Sequence, residues 1–311
     1  MTLAPFVRIV ARGAGRARPL TQDEAQEAMT LILSGEAAPE AIGALLMVLR
    51  LRGETPEEIA GFTAALRAHV TGRLPDADLD WPSYAAGRSR GAPLFLLAAR
   101  LVAQAGYRVS VHGWNSHQTA SASLRDVIDL AGPGVIYTPL ETLSPAAFKL
   151  LNLRDTFGLR SCINTVLRMW NPAQAPVSVQ GVFHPSYRGL QAQAADLLGQ
   201  RDLAIIKGGG GEFERHPSKD IAVFGLRRGV HIEACADALV HHTRRLHEAG
   251  AHVDLHALWH GAVQDDFATA TVTGTAALAL WALDAAPTLP DAETLARALW
   301  DARHQTESLS A

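Results

Sequence analysis

The segment Ile206-Lys207-Gly208-Gly209-Gly210-Gly211-Glu212-Phe213-Glu214-Arg215 sets a lysine and four glycines directly after the apolar residues 203–206. Glycines let backbone N–H groups close around a phosphate, and a lysine supplies its counter-charge. Carboxylates beside the phosphate, here Glu212 and Glu214, are the ligands a small hard cation would need. A run of glycines also makes a plain turn, so this loop alone is a weak signal. Two further segments carry polar side chains at the same kind of position. His112-Gly113-Trp114-Asn115-Ser116-His117 follows the strand-like residues 107–111, and Gly158-Leu159-Arg160-Ser161-Cys162-Ile163-Asn164 sets an arginine and an asparagine ahead of an apolar helix. His252, His256 and His260 recur at one-turn spacing, but the helix-end character of that segment argues against zinc. Arg8, Arg12, Arg16 and Arg18 precede the first acid, Asp23, which gives an anion-facing edge or plain solvated charge.

These segments need elements to hold them. Thr21 and Glu24 form a capping-box pattern that opens a helix running to Ser34-Gly35. Ala38-Pro39-Glu40 opens a second, with Ile42, Leu45, Leu46 and Leu49 on one face, and Thr55-Pro56-Glu57-Glu58 starts a third. Residues 72–80 read as a linker. Beyond it, strands at 107–111, 135–137, 177–183 and 203–206 alternate with helices at 94–105, 121–131 and 190–198, and helices at 267–283 and 292–303 follow. That alternation predicts an α/β fold: a small all-helical domain (1–74, joined by part of 156–172) plus a larger α/β domain (75–311) with a mostly parallel central sheet. Parallel sheets place ligands at the carboxyl ends of their strands, where the glycine loop and the HGWNSH loop both fall.

The net charge of −3 excludes a histone-like surface, and the two cysteines, Cys162 and Cys235, lack the spacing of a zinc ribbon. No apolar run reaches the roughly 18 residues of a membrane span. Residues 1–18 lack a signal-peptide core, so a cytoplasmic location without membrane contact is expected.

Residues 20–53, the loop HGWNS, GLRSCINTVLRMWNP (158–172), QGVFHPSY (180–187), the glycine loop and Leu258-Trp259-His260-Gly261 before an alanine-rich helix together resemble the anthranilate phosphoribosyltransferase family, glycosyltransferase family three. The resemblance covers nearly the whole chain. It implies the nucleoside phosphorylase/phosphoribosyltransferase-like fold, with the helical domain making a homodimer. Family enzymes hold a sugar pyrophosphate with a GTGGD loop; here Ser83-Tyr84-Ala85-Ala86-Gly87 stands at that place. The family's KHGNR becomes Val111-His112-Gly113-Trp114-Asn115, its anthranilate-contacting arginine matches Arg160, and its metal-binding acidic pair falls on Phe213 and Glu214.

The resemblance is greatest to a divergent branch with PSY…GR in place of GTGGD, here Pro82-Ser83-Tyr84 with Gly87-Arg88. That branch implies a homodimeric, degenerate-site protein that binds DNA or RNA, single-stranded, with low sequence preference through a basic groove. Phosphate contacts would come from Arg88, Arg90, His112, Asn115, Arg160, Arg168, Lys207 and Arg215, with Lys149 and Arg188 nearby. Stacking would come from Tyr84, Trp114 and Tyr187, and Arg12, Arg16 and Arg18 would extend the track as an N-terminal basic arm. No cofactor and no metal are expected on this reading, Glu212 and Glu214 being weak metal candidates. The alternative is an active glycosyl or phosphoribosyl transferase on another substrate, which would need magnesium and phosphoribosyl pyrophosphate. A third reading is a dimeric scaffold with no anion affinity.

Overall fold

A computed structural model describes residues 2–13, 15–84, 91–114, 124–246 and 253–304. Four helices lead the chain: α1 (Ala4–Ala11), α2 (Gln22–Leu33), α3 (Pro39–Arg52) and α4 (Pro56–Ala68). Both expected capping boxes form, Thr21 with Glu24 and Thr55 with Glu58. Glu58 is fully buried; it also accepts from the Leu20 amide (2.9 Å) and pairs with Arg52. One acid thus ties the start of α2 to the end of α3 and the start of α4. Helix α1 precedes the residues expected as a basic arm, Arg12, Arg16 and Arg18, and its Phe6 and Val10, with Leu3 at its N-cap, are buried at helical spacing.

The rest is a seven-stranded sheet in the order β3-β2-β1-β4-β5-β6-β7: β1 (Leu79–Ser83), β2 (Val109–Gly113), β3 (Val135–Pro139), β4 (Val177–Val182), β5 (Asp202–Lys207), β6 (Ile221–Arg227) and β7 (Val230–Ala236). Strands β1 to β5 pair in parallel, while β6 and β7 add an antiparallel edge. Helices α5 (Leu94–Gln104), α11 (Asp266–Ala282) and α12 (Leu289–Asp301) cover one face. Helices α8 (Ile163–Arg168) and α9 (Tyr187–Leu197) cover the other, where they pack on α4. Strand β5 shows the two-sided burial directly, with Leu203 and Ile205 in one core and Ala204 and Ile206 in the other. Among the described residues, no helix is long and apolar enough to cross a membrane.

Three local expectations are corrected. The linker at 72–80 ends inside a buried strand, β1, whose sequence LDWPS carries an aspartate and a proline. Pro82 is tolerated there because β1 pairs with β4 only through Leu79 and Asp80, leaving the proline's missing N–H outside that ladder. Residues Arg125–Ala131 form a 3-10 helix, the remainder of the expected helix at 121–131 lying largely outside the described residues. Strand β2 runs to Gly113, so His112 and Gly113, expected in the loop after residues 107–111, belong to the strand, and beyond β5 the hairpin of β6 and β7 precedes the C-terminal helices. Helices α6 (Leu140–Leu143), α7 (Pro145–Phe157) and α10 (Leu255–Trp259) complete the chain.

Candidate anion-binding groove

The strand order reverses between β1 and β4, so the crevice outside their carboxyl ends is the topological switch point, where open α/β sheets take ligands. Two cavities open along this edge. The first, about 470 Å³, lies over the glycine loop and is lined by Lys207, Arg188, Lys219 and Arg245 together with His216 and Asp220. Close packing shapes the loop. A Cβ on Gly208 would lie 1.6 Å from the Glu212 carbonyl oxygen, and one on Gly181 of β4 would lie 2.0 Å from the Glu212 carbonyl carbon. Both positions therefore require glycine. Lys207, Lys219 and Arg245 are exposed. Arg188 is half-buried, donates to the carbonyls of Pro185 and Ala222 (3.2 Å each), and lies over the Phe224 ring.

The second cavity, about 300 Å³, is lined by Arg50, Arg154, Arg160 and Arg168, with Phe183, His184 and Tyr187 among its other walls. Each arginine has a local reason to be there. Arg50 sits in the last turn of α3, and Arg154 in the last turn of α7. Gly158, in the left-handed region at φ 67°, stops α7 and turns the chain so that Arg160 lines the same space. Arg168 ends α8 and donates to the Asn164 carbonyl one turn back at 3.2 Å. It is 6% exposed, and its Nη2, like Nη1 of Arg154, has no hydrogen-bond partner among the described residues. Burial, and then the neighbouring Arg154, Arg168 and Arg50, lower the Arg160 guanidinium to about 10. Burial likewise lowers Arg168, against the opposing pull of Glu212. Tyr187 donates to Glu54 at 3.0 Å, and burial together with that carboxylate raises its phenol to about 12.

Of the candidate contacts, Arg160, Arg168 and Tyr187 line the second cavity and Lys207 the first. Other candidates do not. Arg215 is fully buried, pairs with Glu293 at 2.7 Å, donates to the Asp237 carbonyl, and its backbone amide donates to Thr275 Oγ1 (2.9 Å). It is a structural cation rather than a rim charge. His112 and Tyr84 are also buried, their ring nitrogen Nδ1 and hydroxyl 2.7 Å apart. His112 Nε2 lies 3.1 Å from Asp80 Oδ1, within ion-pair range but off hydrogen-bond alignment, and Ser178 donates to the other Asp80 oxygen at 2.9 Å. Burial, with Asp80 next, holds the Tyr84 phenol well above its ordinary range, so this tyrosine offers no face to a base. Trp114 is half-buried, with Phe148 T-shaped against it (ring centroids 4.7 Å apart) and Arg125 over one face of its ring.

Arg12, Arg16 and Arg18 are exposed, but Arg18 is engaged by Glu24 through two 2.7 Å contacts. Lys149 is exposed and lines neither cavity. Arg88, Arg90 and Asn115 lie outside the described residues. Arg50, Arg154, Lys219, Arg245 and Phe183 were not among the expected contacts. Arg50 and Arg154 come from helices that meet only in the folded chain, so spacing gives no hint of them. Phe183 was signalled by its place directly after β4.

The loop acids do not present themselves to a metal. Phe213 is buried edge-on against Trp81 (ring centroids 5.4 Å apart). Glu214, also fully buried, accepts from the Phe95 amide at 2.9 Å, in the first turn of α5. A carboxylate at a helix N-terminus satisfies an orphan donor and complements the helix dipole, so Glu214 fills a position that a bound anion would otherwise use. Glu212 is buried as well. Among the described residues, no group of three or more His, Cys, Asp or Glu side chains is placed to hold a metal ion. His256 and His260 do neighbour each other, with ring centroids 4.3 Å apart.

Residues 5–70 match the family model described as "Glycosyl transferase family, helical bundle domain". An anthranilate phosphoribosyltransferase of Desulfitobacterium hafniense (strain DSM 10664 / DCB-2) is 33% identical over 194 residues, 57% of each chain. That match spans little more than half of the relative's length. An anthranilate phosphoribosyltransferase of Bacillus caldotenax is 32% identical over 232 residues, covering 68% of this chain and 95% of that one. Among solved structures, the anthranilate phosphoribosyltransferase of Thermus thermophilus has a TM-score of 0.78 at 23% identity, over 94% of this chain and 95% of that chain. The Saccharomyces cerevisiae protein of that name, in complex with PRPP and Mg, gives 0.76 at 14% identity, over 99% and 95%. The two structures share the fold, and the sequence relatives carry the family assignment: this chain belongs to the anthranilate phosphoribosyltransferase family.

Proposed function

We propose that this chain is a nucleic-acid-binding member of its family, holding a single strand with little sequence preference in the groove at the carboxyl edge of its sheet. One observation carries the reading. Arg50, Arg154, Arg160 and Arg168 line one cavity and Arg188, Lys207, Lys219 and Arg245 the other, against Asp220 as the one lining carboxylate among the described residues. Consecutive residues at the start of α9 line the two cavities, Tyr187 one and Arg188 the other. A phosphate backbone is the ligand whose repeated charge matches a row of cations, and exposed aromatic rings beside such a row suit unstacked bases. Phe183, 47% exposed, is the ring best placed for this, with Tyr187 half-buried behind it.

The proposal includes a degenerate catalytic site. Phe213 and the helix-capping Glu214 occupy the place of the acidic pair, so magnesium is not held there. It also includes a homodimer made through the helical layer, where Leu51 of α3 stands 90% exposed. A salt series with labelled single-stranded oligonucleotides tests the reading. Affinity falls steeply with salt if the groove binds phosphates, and absence of binding at low salt overturns it.

The alternative, a glycosyl or phosphoribosyl transferase on another substrate, draws on Arg160 standing in a small cavity of about 300 Å³. Calorimetry with phosphoribosyl pyrophosphate and magnesium decides between them. Micromolar, magnesium-dependent binding favours the transferase.

A further inference from the structure

The four-arginine cavity differs in kind from the rest of the groove. The cations of the glycine-loop cavity are largely exposed, whereas in the second cavity Arg168 is buried, Arg154 and Arg160 are half-buried, and Arg50 alone of the four is exposed. None of its described lining residues is a carboxylate. Arg168 is nine-tenths buried and lines the cavity with Nη2 unpaired, and Arg154 adds a second buried, unpaired N–H. Unpaired buried guanidinium N–H groups are costly, and two arginines that line this one cavity each retain one, which favours an acceptor as its ligand.

The charge of that acceptor follows from the count. A carboxylate or an internal phosphodiester brings a single negative charge, which leaves most of Arg50, Arg154, Arg160 and Arg168 uncompensated in a half-enclosed space. A phosphomonoester brings about −1.5 to −2 charges at pH 7 and three strong acceptor oxygens. Arginine forks suit such a group, since each can give two parallel N–H donors. The volume, about 300 Å³, is at the lower end of small-molecule sites and is that of one nucleotide rather than a length of chain. Phe183 lies at the same wall.

We propose that the Arg50/Arg154/Arg160/Arg168 cavity binds a phosphomonoester dianion, the terminal phosphate of a nucleic-acid strand, with the terminal base stacked on Phe183. The inference rests on the nucleic-acid reading for the source of the phosphate and adds end recognition to it. The strand leaves the cavity past Tyr187 and Arg188 and continues over Lys207, Lys219 and Arg245.

The test uses fluorescence anisotropy with the full chain and single strands that differ only in carrying a 5′-phosphate, a 3′-phosphate or hydroxyl ends. Adenosine monophosphate, ribose 5-phosphate and anthranilate serve as competitors. At pH 7.5 one phosphorylated end binds about tenfold or more tightly than the hydroxyl strand. That advantage shrinks as pH falls below the second phosphate ionisation, near 6. Arg154→Gln, on the half-buried end of α7, brings the two strands to equal affinity, and Arg168→Gln does the same if circular dichroism shows it folded. Lys219→Gln weakens both strands alike and leaves their ratio intact. Free adenosine monophosphate competing as well as a phosphorylated strand would assign the cavity to a free nucleotide and overturn the strand-end proposal. Ribose 5-phosphate competing equally would remove the base from it.

Equal affinity of all three strands for the unmodified protein overturns the inference while leaving salt-dependent strand binding, and so the nucleic-acid reading, in place. Competition by anthranilate alone also overturns it. Tight phosphomonoester binding with no strand binding at any salt fails the nucleic-acid reading instead.

Discussion

Glu214 is where the two functional readings give opposite results. Its carboxylate accepts from the Phe95 amide at 2.9 Å with no exposure to solvent, at the first turn of α5. A hydrogen bond to a charged group contributes about 1.5–3 kcal/mol, and removing the acceptor takes that bond from a buried amide. Glu214→Ala should therefore cost about 2–3 kcal/mol, felt first at the start of α5. Converted at 1.4 kcal/mol per tenfold, that is roughly 30- to 150-fold faster hydrogen exchange at the Phe95 amide if opening stays local. Glu214→Gln keeps an acceptor oxygen but loses the charge, so its loss should be about 1 kcal/mol, near the value for a neutral bond. Exchange followed by mass spectrometry or NMR, alongside urea unfolding, reads both variants. The structural role would be refuted by an unchanged Phe95 amide and unchanged unfolding midpoint in both, coupled with loss of a magnesium-dependent binding heat. That pattern would make Glu214 a metal ligand and revive the transferase.

The salt series has a worked size as well. If half of the eight groove cations meet phosphates, about four counterions are displaced, and at about 0.7 per phosphate affinity should fall roughly 50-fold between 50 and 200 mM salt; a flat response refutes backbone binding. Arg215→Met should leave that slope unchanged while destabilising the fold by about 3–5 kcal/mol, since it strands the partner Glu293 and breaks a buried network; a shallower slope with intact stability would return Arg215 to the groove. Gly181→Ala should lose solubility or unfold early on a thermal scan, because its Cβ would lie 2.0 Å from Glu212 backbone; an unperturbed melt would contradict the packing of the glycine loop on β4. Tyr187 titrates at about 12 in the folded chain against about 10 unfolded, so its contribution is complete below pH 10 and is lost as pH rises through 12. Tyr187→Phe should remove that alkaline component of unfolding, and an unchanged alkaline profile would separate Tyr187 from Glu54.

Much of the fold was legible because its elements carry their own punctuation. Thr21 with Glu24 and Thr55 with Glu58 announce helix starts, and both boxes form as read. The alternation of apolar runs with helical spacing announces a parallel sheet, and five strands obey it. Strand β1 was hidden because Asp80 and Pro82 look like linker residues. Only the tertiary structure supplies the Ser178 that donates to Asp80, the His112 beside it, and the gap in the β4 ladder that admits Pro82. Helix α1 was hidden for the opposite reason: Arg8 and the arginines after it drew the reading to charge, while Leu3, Phe6 and Val10 carried the helical period. The site was less legible than the fold. Residue type marks a cation, but direction decides whether it serves a groove or a core, and direction is set by neighbours. Lys207 and Arg215 flank one short loop, yet the first stands exposed over a cavity and the second is sealed against Glu293.

The same point resolves the net charge of −3, which as a whole-chain figure speaks against a polyanion ligand. Electrostatic attraction at a binding face depends on charges within about a Debye length, near 8–10 Å in physiological salt, and not on the sum over the surface. The acids of this chain are in good part spoken for. Glu24 is held down to about 2, with Arg18 the first cause, Asp78 is held below its ordinary range by Arg108, and Asp284 by Arg228 and Arg227. These pairs neutralise arginines outside the two groove linings. The groove cations meet few acids of their own, Asp220 in one lining and none among the described residues of the other. A mildly acidic chain thereby keeps a concentrated positive edge, and the low overall charge limits indiscriminate adhesion elsewhere on its surface. Adding acids far from the edge should accordingly change solubility and leave strand affinity alone, whereas Lys219→Glu, at the rim itself, should weaken it about tenfold or more. Equal effects of the two kinds of substitution would show that total charge governs binding and that the groove does not.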